Sequence, residues 1–511
     1  MHRRSFLRST ITAAALGSGL VPRFTTSAWA APDAQLGRLA GIDPASDRIL
    51  VILRMFGGND GVNTIVPYHD DEYYRIRKSS FADLTIPADS TIPIRGLDGY
   101  GFHPVLGNLN TLFEEGKVAI VHGVGYPNMD LSHFRGTDIW LSASDWNVFD
   151  ETGWTGRFME KRYPDYPNVL PDSPLVVEMG ALTGTLQQGH HFPIGHNYEH
   201  HVDHVNTPSI LIENMSDRAS ALHNRMSGLL VQGNHFNKAI ATALATAKTP
   251  LTQYNLDDGT GPALSTVARM IRGGLKTQIY VIHGGDFDTH HRQQIQHPQQ
   301  LARLFDNVYA FQREMEAAGL QDRVVVMPTS EFGRRLEPTF AGTDHGTAGP
   351  MFVVGSKVRG GHYGRPPSLH ELDHNHNLLW HIDFRQVYSS VLSQWFLSSS
   401  DHLEASMFNR TYEQLPIFSD VVLDAVTPVP SMEATVWPNP AADTITIRHG
   451  MTSPTVAVHI TRADGMHISS GTHASANGQT QLSVQSIPTG SYIIQIRSVT
   501  STSWHRVVVS R

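Results

Sequence analysis

The stretch Ile49–Pro67, ILVILRMFGGNDGVNTIVP, restricts the possible folds more than any other. Its opening run, Ile49–Leu53, is apolar and β-branched but too short for a helix, which reads as a strand buried on both faces of a parallel sheet. The run stops in Gly57-Gly58-Asn59-Asp60-Gly61. Two glycines there open backbone conformations closed to other residues, and Asn59 and Asp60 suit a tight turn. Asp60 would then stand at the carboxyl end of a central strand, the edge where open α/β sheets bind ligands. A plain turn explains the same residues, so the rest of the chain decides between the two.

Further strand-like runs fall at Lys117–Val121, Leu175–Val177, Gln278–Ile282, Arg323–Met327 and Met351–Val354. Helix-like stretches lie between some of them; Leu301–Leu320 has apolar residues at helical spacing and Gly319 placed to end it. Strands alternating with helices predict an α/β domain over 47–426, with a mainly parallel sheet covered on both sides. Past Thr427-Pro428-Val429-Pro430, a linker over 427–432, the texture changes to short alternating segments separated by turns. Asp464-Gly465 is a hairpin signal and Pro488-Thr489-Gly490 a turn, which predicts a small all-β sandwich over 433–511. No candidate catalytic cluster falls in that tail.

The N-terminal 1–30 reads as an export signal: a basic start, a modest apolar stretch from Ile11 to Val21, and Ala28-Trp29-Ala30 as a cleavage site. Arg3-Arg4-Ser5-Phe6-Leu7 resembles a twin-arginine signal, which exports folded proteins. No other segment approaches the roughly 18–20 apolar residues of a membrane span. A net charge of −8 with scattered basic residues gives no footprint for nucleic acid. With no cysteine in the chain, disulfides and thiolate metal sites are excluded, and any metal must be held by His, Asp or Glu. The 29 histidines suit that role without establishing it.

Four clusters follow predicted strands: Asp60 with Asn59 and Asn63; Asn128–Arg135, containing Ser132, His133 and Arg135; Gly284–His291, containing Asp286, Asp288 and His290; and Ser330–Thr347, containing Glu331, Arg334, Asp344 and His345. Parallel strand ends converge on one edge, so these groups can meet there. Carboxylates and imidazoles suit zinc, manganese or a similar divalent cation, and a pair of such ions is a common site for phosphoryl chemistry. Each cluster also has an ordinary explanation: Asp288-Thr289 or Ser132-His133 as helix caps, and Glu331 with Arg334 as an internal ion pair. A separate histidine run, His190, His191, His196, His200, His201 and His204, suits a mobile loop over the site or adventitious metal binding better than catalysis.

Several ordered motifs carry a family resemblance: Phe56-Gly57-Gly58-Asn59-Asp60-Gly61-Val62-Asn63-Thr64, Ser132-His133-Phe134, Gly153-Trp154-Thr155-Gly156-Arg157, Asp288-Thr289-His290, Ser330-Glu331-Phe332-Gly333-Arg334 and Thr343-Asp344-His345-Gly346-Thr347-Ala348. Together they resemble the bacterial domain of unknown function 1501 family over about 47–425, which is similar to the alkaline phosphatase and sulfatase superfamily. The resemblance implies a large α/β sandwich with divalent ions (zinc, manganese, calcium or magnesium) at the strand ends. It implies Asp60, Asp288, His290, Glu331, Asp344 and His345 as metal ligands, with Asp286 an alternative to Asp288. It further implies Ser132 as nucleophile; Arg135 or Arg334 would clamp the transferred group, since guanidinium forks match its oxygens. Ser330-Glu331-Phe332 departs from the superfamily by lacking the histidine of its Asp-His pair, which puts one metal position in doubt. Val436-Trp437-Pro438-Asn439-Pro440-Ala441, Ala463-Asp464-Gly465, Ile487-Pro488-Thr489-Gly490-Ser491-Tyr492 and the closing His505–Val509 resemble a type IX secretion C-terminal sorting domain. The expected protein is an exported metal-dependent hydrolase of phosphate or sulfate esters. Its expected partners are a small-molecule or glycan ester and the twin-arginine and type IX machineries. It would pass the periplasm on the way to the outer-membrane surface or beyond. The alternatives are a catalytically silent envelope protein and a Ser132–His345 esterase, the latter disfavoured by the absence of a Gly-x-Ser-x-Gly elbow.

Overall fold

The computed structural model describes residues 47–80, 82–180, 184–199, 218–257, 259–418, 434–449, 455–462, 467–476, 478–497 and 502–510. The leader 1–30, the linker 427–432, the Asp464-Gly465 hairpin signal and His200, His201 and His204 lie outside them. The chain divides into two compact units between Asp420 and Val421.

The first unit is α/β. Its sheet is built from β1 (Ile49–Phe56), β2 (Val118–Gly125), β3 (Val176–Met179), β4 (Gly195–Tyr198), β5 (Ile279–Asp286) and β6 (Val324–Thr329). After the hairpin β7 (Gly333–Thr339) and β8 (Gly342–Gly346) come three more sheet strands, β9 (Gly349–Val354), β10 (Gly361–Tyr363) and β11 (Ile382–Asp383). The strand order is β10–β2–β9–β6–β1–β5–β3–β4, with β11 also alongside β2. Every pairing in the sheet is parallel except those of β9 with β2 and β6. The parallel sheet expected from the sequence is therefore present, with one antiparallel strand inserted.

β1 is central, as its composition demands. Val51 and Leu53 join a core shared with α4 (Thr260–Arg272) and α5 (Gln293–Ala317). Alternate residues Leu50 and Ile52 are equally buried. Ile52 faces a void of about 20 Å³ among Trp140, Trp154 and Tyr388, the first two from α1 (His133–Ser142) and α2 (Trp154–Arg162). Each such side chain contributes about 1.5–3 kcal/mol when removed from water, so a strand apolar on both faces is stable only between two layers. A long helix, α3 (Arg218–Thr246), packs against α4. α5 begins earlier than the Leu301 start expected from periodicity: its first turns, Gln293–Gln300, are polar and contain Pro298, so they carry no apolar stripe. Its end matches expectation, with Gly319 at φ +69° just beyond.

The second unit is an all-β sandwich. Strands β12 (Ala434–Trp437), β13 (Thr444–His449) and β16 (Gln479–Ser483) form one antiparallel sheet. The other is formed by β14 (Thr455–Arg462), β15 (His467–Ala474), β17 (Gly490–Arg497) and β18 (Thr502–Val509), in the order β15–β14–β17–β18. Its core takes alternate residues, Ile445 and Ile447, Val456, Val458 and Ile460, Ile494 and Ile496, Val507 and Val509, the period of a sheet with one face buried.

Candidate metal centre

β6, β1 and β5 lie side by side, and the loops leaving their carboxyl ends carry three of the expected clusters. The β1 turn runs close under the loop after β5. Gly57 holds φ +110°, and a Cβ there would stand 2.2 Å from the Asp288 amide nitrogen, so only glycine fits. Phe287 N–H donates to Phe56 O (2.6 Å), and Asp286 Oδ1 accepts from Asp288 N–H (3.1 Å), fixing the bend that presents Asp288. The β7–β8 hairpin folds back over this edge with Arg334 opposite His345.

Four side chains converge: His133, Asp288, His290 and His345, whose donor atoms all lie within 4.8 Å of one another. His290 Nε2 is 2.9 Å from Asp288 Oδ1 and 2.9 Å from His345 Nε2; His345 Nε2 is 3.3 Å from Asp288 Oδ1. His133 Nε2 approaches Asp288 Oδ2 at 3.4 Å. Donors around a cation held at ~2.1 Å stand roughly 3.0–3.4 Å apart in octahedral or tetrahedral geometry, so these spacings match one coordination shell.

For His345 and His133, the hydrogen-bond partner on the far side of the ring fixes where the proton sits. His345 Nδ1 faces the Leu131 carbonyl (2.6 Å), which only accepts, so Nδ1 carries the proton and Nε2 offers a lone pair to the cluster. His133 Nδ1 faces Glu331 Oε1 (3.0 Å), which again leaves Nε2 bare in the neutral ring. Glu331 is itself buried and accepts from Gly57 N–H at 2.7 Å. His290 Nε2 meets two acceptors and must donate unless a cation takes its place; its Nδ1 would then carry the proton, 3.8 Å from Asp344 Oδ1. Bare Nε2 atoms on His133 and His345, each ring backed by an outer carboxylate or carbonyl, beside the inward-facing Asp288 carboxylate are the donor chemistry of a divalent metal site. Phe332 stacks on His345 (4.7 Å), and Phe56 lies 5.1 Å from His133, so apolar rings fix the imidazole planes.

The charges are matched. The Glu331 hydrogen bond pushes the His133 pKa up, against the opposing effect of burial. Burial pushes His290 down, and the Arg334 charge adds to this. Burial alone would raise the Asp288 carboxyl, but the Arg334 hydrogen bond and charge hold it below the usual range.

Several expected roles need correction. Asp60 is not in the cluster: it is fully buried, with both oxygens taken by Arg77 (2.6 and 2.8 Å), and it caps the short helix Gly61–Thr64. Glu331 stands behind His133 instead of joining the shell. Asp344 accepts from His345 N–H (2.8 Å) and lies beside the His290 ring, an orienting position. Arg334 is not free to clamp a substrate, and Arg135 is buried with only Nη1 unpartnered. Arg334 donates to the carbonyls of Gly57, Gly58, Phe287 and Thr343 and to Asp288 Oδ1. Arg135 donates to those of Asp145, Trp146 and Val148. Ser132 is exposed at the start of α1, its amide bonded to Asp130 Oδ1 (2.8 Å), immediately before His133. Of the histidine run, His191 pairs with Glu160 (2.9 Å) and His196 with Asn237 (2.7 Å), away from this shell. His133 is the member that sequence reading passed over, although Ser132-His133-Phe134 contained it. Arg157, in Gly153-Trp154-Thr155-Gly156-Arg157, is buried and bonds the carbonyls of Ser142, Thr152 and Ser406, a packing role.

Residues 245–396 match a family described as "Protein of unknown function (DUF1501)", and residues 435–510 match the "Secretion system C-terminal sorting domain". Both resemblances read from the sequence therefore hold over these segments. No curated protein matches the chain. Among solved structures, the chain is similar to a protein in the alkaline phosphatase superfamily from Vibrio parahaemolyticus (8% identity, 86% of this chain and 82% of that one, TM-score 0.35). It is also similar to the lipoteichoic acid synthase LtaP from Listeria monocytogenes (8%, 84% and 88%, 0.31) and to the putative sulfatase yidJ from Bacteroides fragilis (10%, 84% and 88%, 0.32). At such TM-scores no assignment rests on these likenesses.

Proposed function

We propose that this is an exported, metal-dependent hydrolase of phosphate or sulfate esters. The sorting tail indicates export to the outer-membrane surface or the extracellular space. The twin-arginine step, through the periplasm, belongs to the proposal. The single observation behind the chemistry is the convergence of His133, Asp288, His290 and His345 at the strand ends. These residues would hold one divalent cation. A cation bound there supplies Lewis acidity, polarising an ester oxygen and making a nucleophile available near neutral pH. The chain's own groups do the rest. Glu331 keeps the His133 proton on Nδ1, the Leu131 carbonyl keeps the His345 proton on Nδ1, and the Asp344 carboxylate lies 3.8 Å from His290 Nδ1, favouring the proton on that nitrogen by its charge. Ser132, one residue before a ligand and exposed, is the hydroxyl proposed to attack phosphorus or sulfur: its Oγ forms the new bond as the bond to the ester alcohol breaks, its proton passes through solvent to the departing alcohol, and water then hydrolyses the Ser132 ester.

A second reading has its own support. With Arg334 spent on protein acceptors and Arg135 buried with Nε and Nη2 on backbone carbonyls, neither expected guanidinium presents its full fork to the ester oxygens, as in an envelope protein that keeps metal without turnover. Elemental analysis of the purified protein, with and without His345→Ala, is the first test. One tightly held divalent ion, lost in the variant, is expected. A folded, metal-free parent would overturn the hydrolase. A metal-loaded parent that turns over no phosphate or sulfate ester would favour the silent reading.

A further inference from the structure

We propose that a buried chain of hydrogen bonds starting at Asp60 sets the position of two metal ligands, which makes Gln293 and Thr343 positioning residues of the site. The proposal rests on the metal reading above and extends it to residues outside the shell.

Gln293 opens α5, and its side chain is almost wholly buried. Its Nε2 donates to Asp60 Oδ2, and its Oε1 accepts from Thr343 Oγ1 at 2.7 Å. The orientation of the amide is fixed, because the Asp60 carboxylate can only accept, so Oε1 must face the Thr343 hydroxyl. Thr343, on β8, passes the connection to the hairpin: its carbonyl accepts from Arg334 Nη1 (2.7 Å), and Arg334 Nη2 donates to Asp288 Oδ1. His345 lies two residues beyond Thr343 on the same strand and pairs in register with Arg334. One chain of bonds therefore governs a carboxylate ligand through Arg334 and an imidazole ligand through the β8 backbone. The hairpin is also tied to the start of α5 by Gln293 N–H to Ala341 O (3.0 Å), and to the β5 loop by Thr343 N–H to Thr289 O (3.3 Å).

The arrangement is one that stability alone does not call for. Asp60, Arg77 and Thr343 have no exposed surface or almost none, and an apolar filling of the same volume is often at least as stable as a buried ion pair. A polar network kept in such a place specifies geometry, and residues that orient ligands typically change metal affinity 10–100-fold when removed.

The test is zinc titration of the metal-stripped full chain, with the thermal transition of each protein recorded beside it. Thr343→Val keeps the shape and removes the hydroxyl; Gln293→Met breaks the next bond along; Thr343→Ser restores the donor. Zinc affinity at least 10-fold weaker in Thr343→Val and Gln293→Met, with Thr343→Ser within about 3-fold of the parent, is expected. Either Thr343→Val or Gln293→Met binding zinc as the parent does would overturn the positioning role while leaving the metal site intact. A folded parent that binds no zinc would instead sink the metal reading, and the positioning role with it.

Discussion

Asp60 shows how a carboxylate at a strand end can serve the site without touching it. With Arg77 it forms an ion pair from which water is wholly excluded, and burial, which would raise its pKa, is outweighed by several lowering effects together, the Arg77 charge the largest of them. Removing one partner strands the other. Asp60→Ala is expected to destabilise the protein by ~3–5 kcal/mol, read as a lowered urea midpoint, and Asp60→Ala with Arg77→Met to recover part of that loss. A single variant as stable as the parent would contradict the pairing. Ser132 and His133 make the complementary case: of two adjacent residues, the hydroxyl drew attention as a nucleophile, yet the imidazole enters the cluster.

The elements that carry the site were unevenly legible. β1, β2, β5 and β6 announce themselves because a strand buried on both faces must be apolar at every position, as in Val324–Met327. The β7–β8 hairpin does not, since its residues Arg334, Asp344 and His345 are chosen for contacts made far along the chain. Asp288 and His290 were readable as a pair because one loop holds both. The roles of Glu331 and Asp60 were not, because they depend on His133 and Arg77, whose proximity only the folded sheet creates. The β1 turn itself makes a sharp prediction. Gly57→Ala places a Cβ on the Asp288 backbone and forces a positive φ on a residue that resists it. A loss of ~1–3 kcal/mol in stability, read from a lowered denaturant midpoint, is expected, together with weakened metal retention. An unchanged midpoint would mean that the loop after β5 has slack.

Across the whole first unit, buried histidines set the response to acid. Burial lowers the pKa of His103 to about 4 and those of His122 and His297 to about 3, so each is neutral in the folded protein while its unfolded counterpart titrates near 6.5. Between those values the unfolded chain binds more protons, so stability is fully present above about pH 6.5 and is lost as pH falls toward 4. His133 acts in the opposite sense: its raised pKa adds stability at low pH that is lost on going above its folded value. Burial also pushes His283, His290, His381 and His402 down, so the lowered groups outnumber the raised one and predict a melting temperature that drops on acidification from pH 7 to 4, with a shallower slope in His122→Asn. A flat profile would show that these rings are protonated in place.

The cluster draws its donors from three distant parts of the chain: the start of α1, the loop after β5, and β8. In a protein without a single cysteine, an ion gripped by all three would act as a removable cross-link, closing loops that no disulfide can close. Mechanical integrity would then depend on supply from outside the molecule. The same protein would be sturdy where divalent ions are plentiful and lax where a chelating competitor has stripped them.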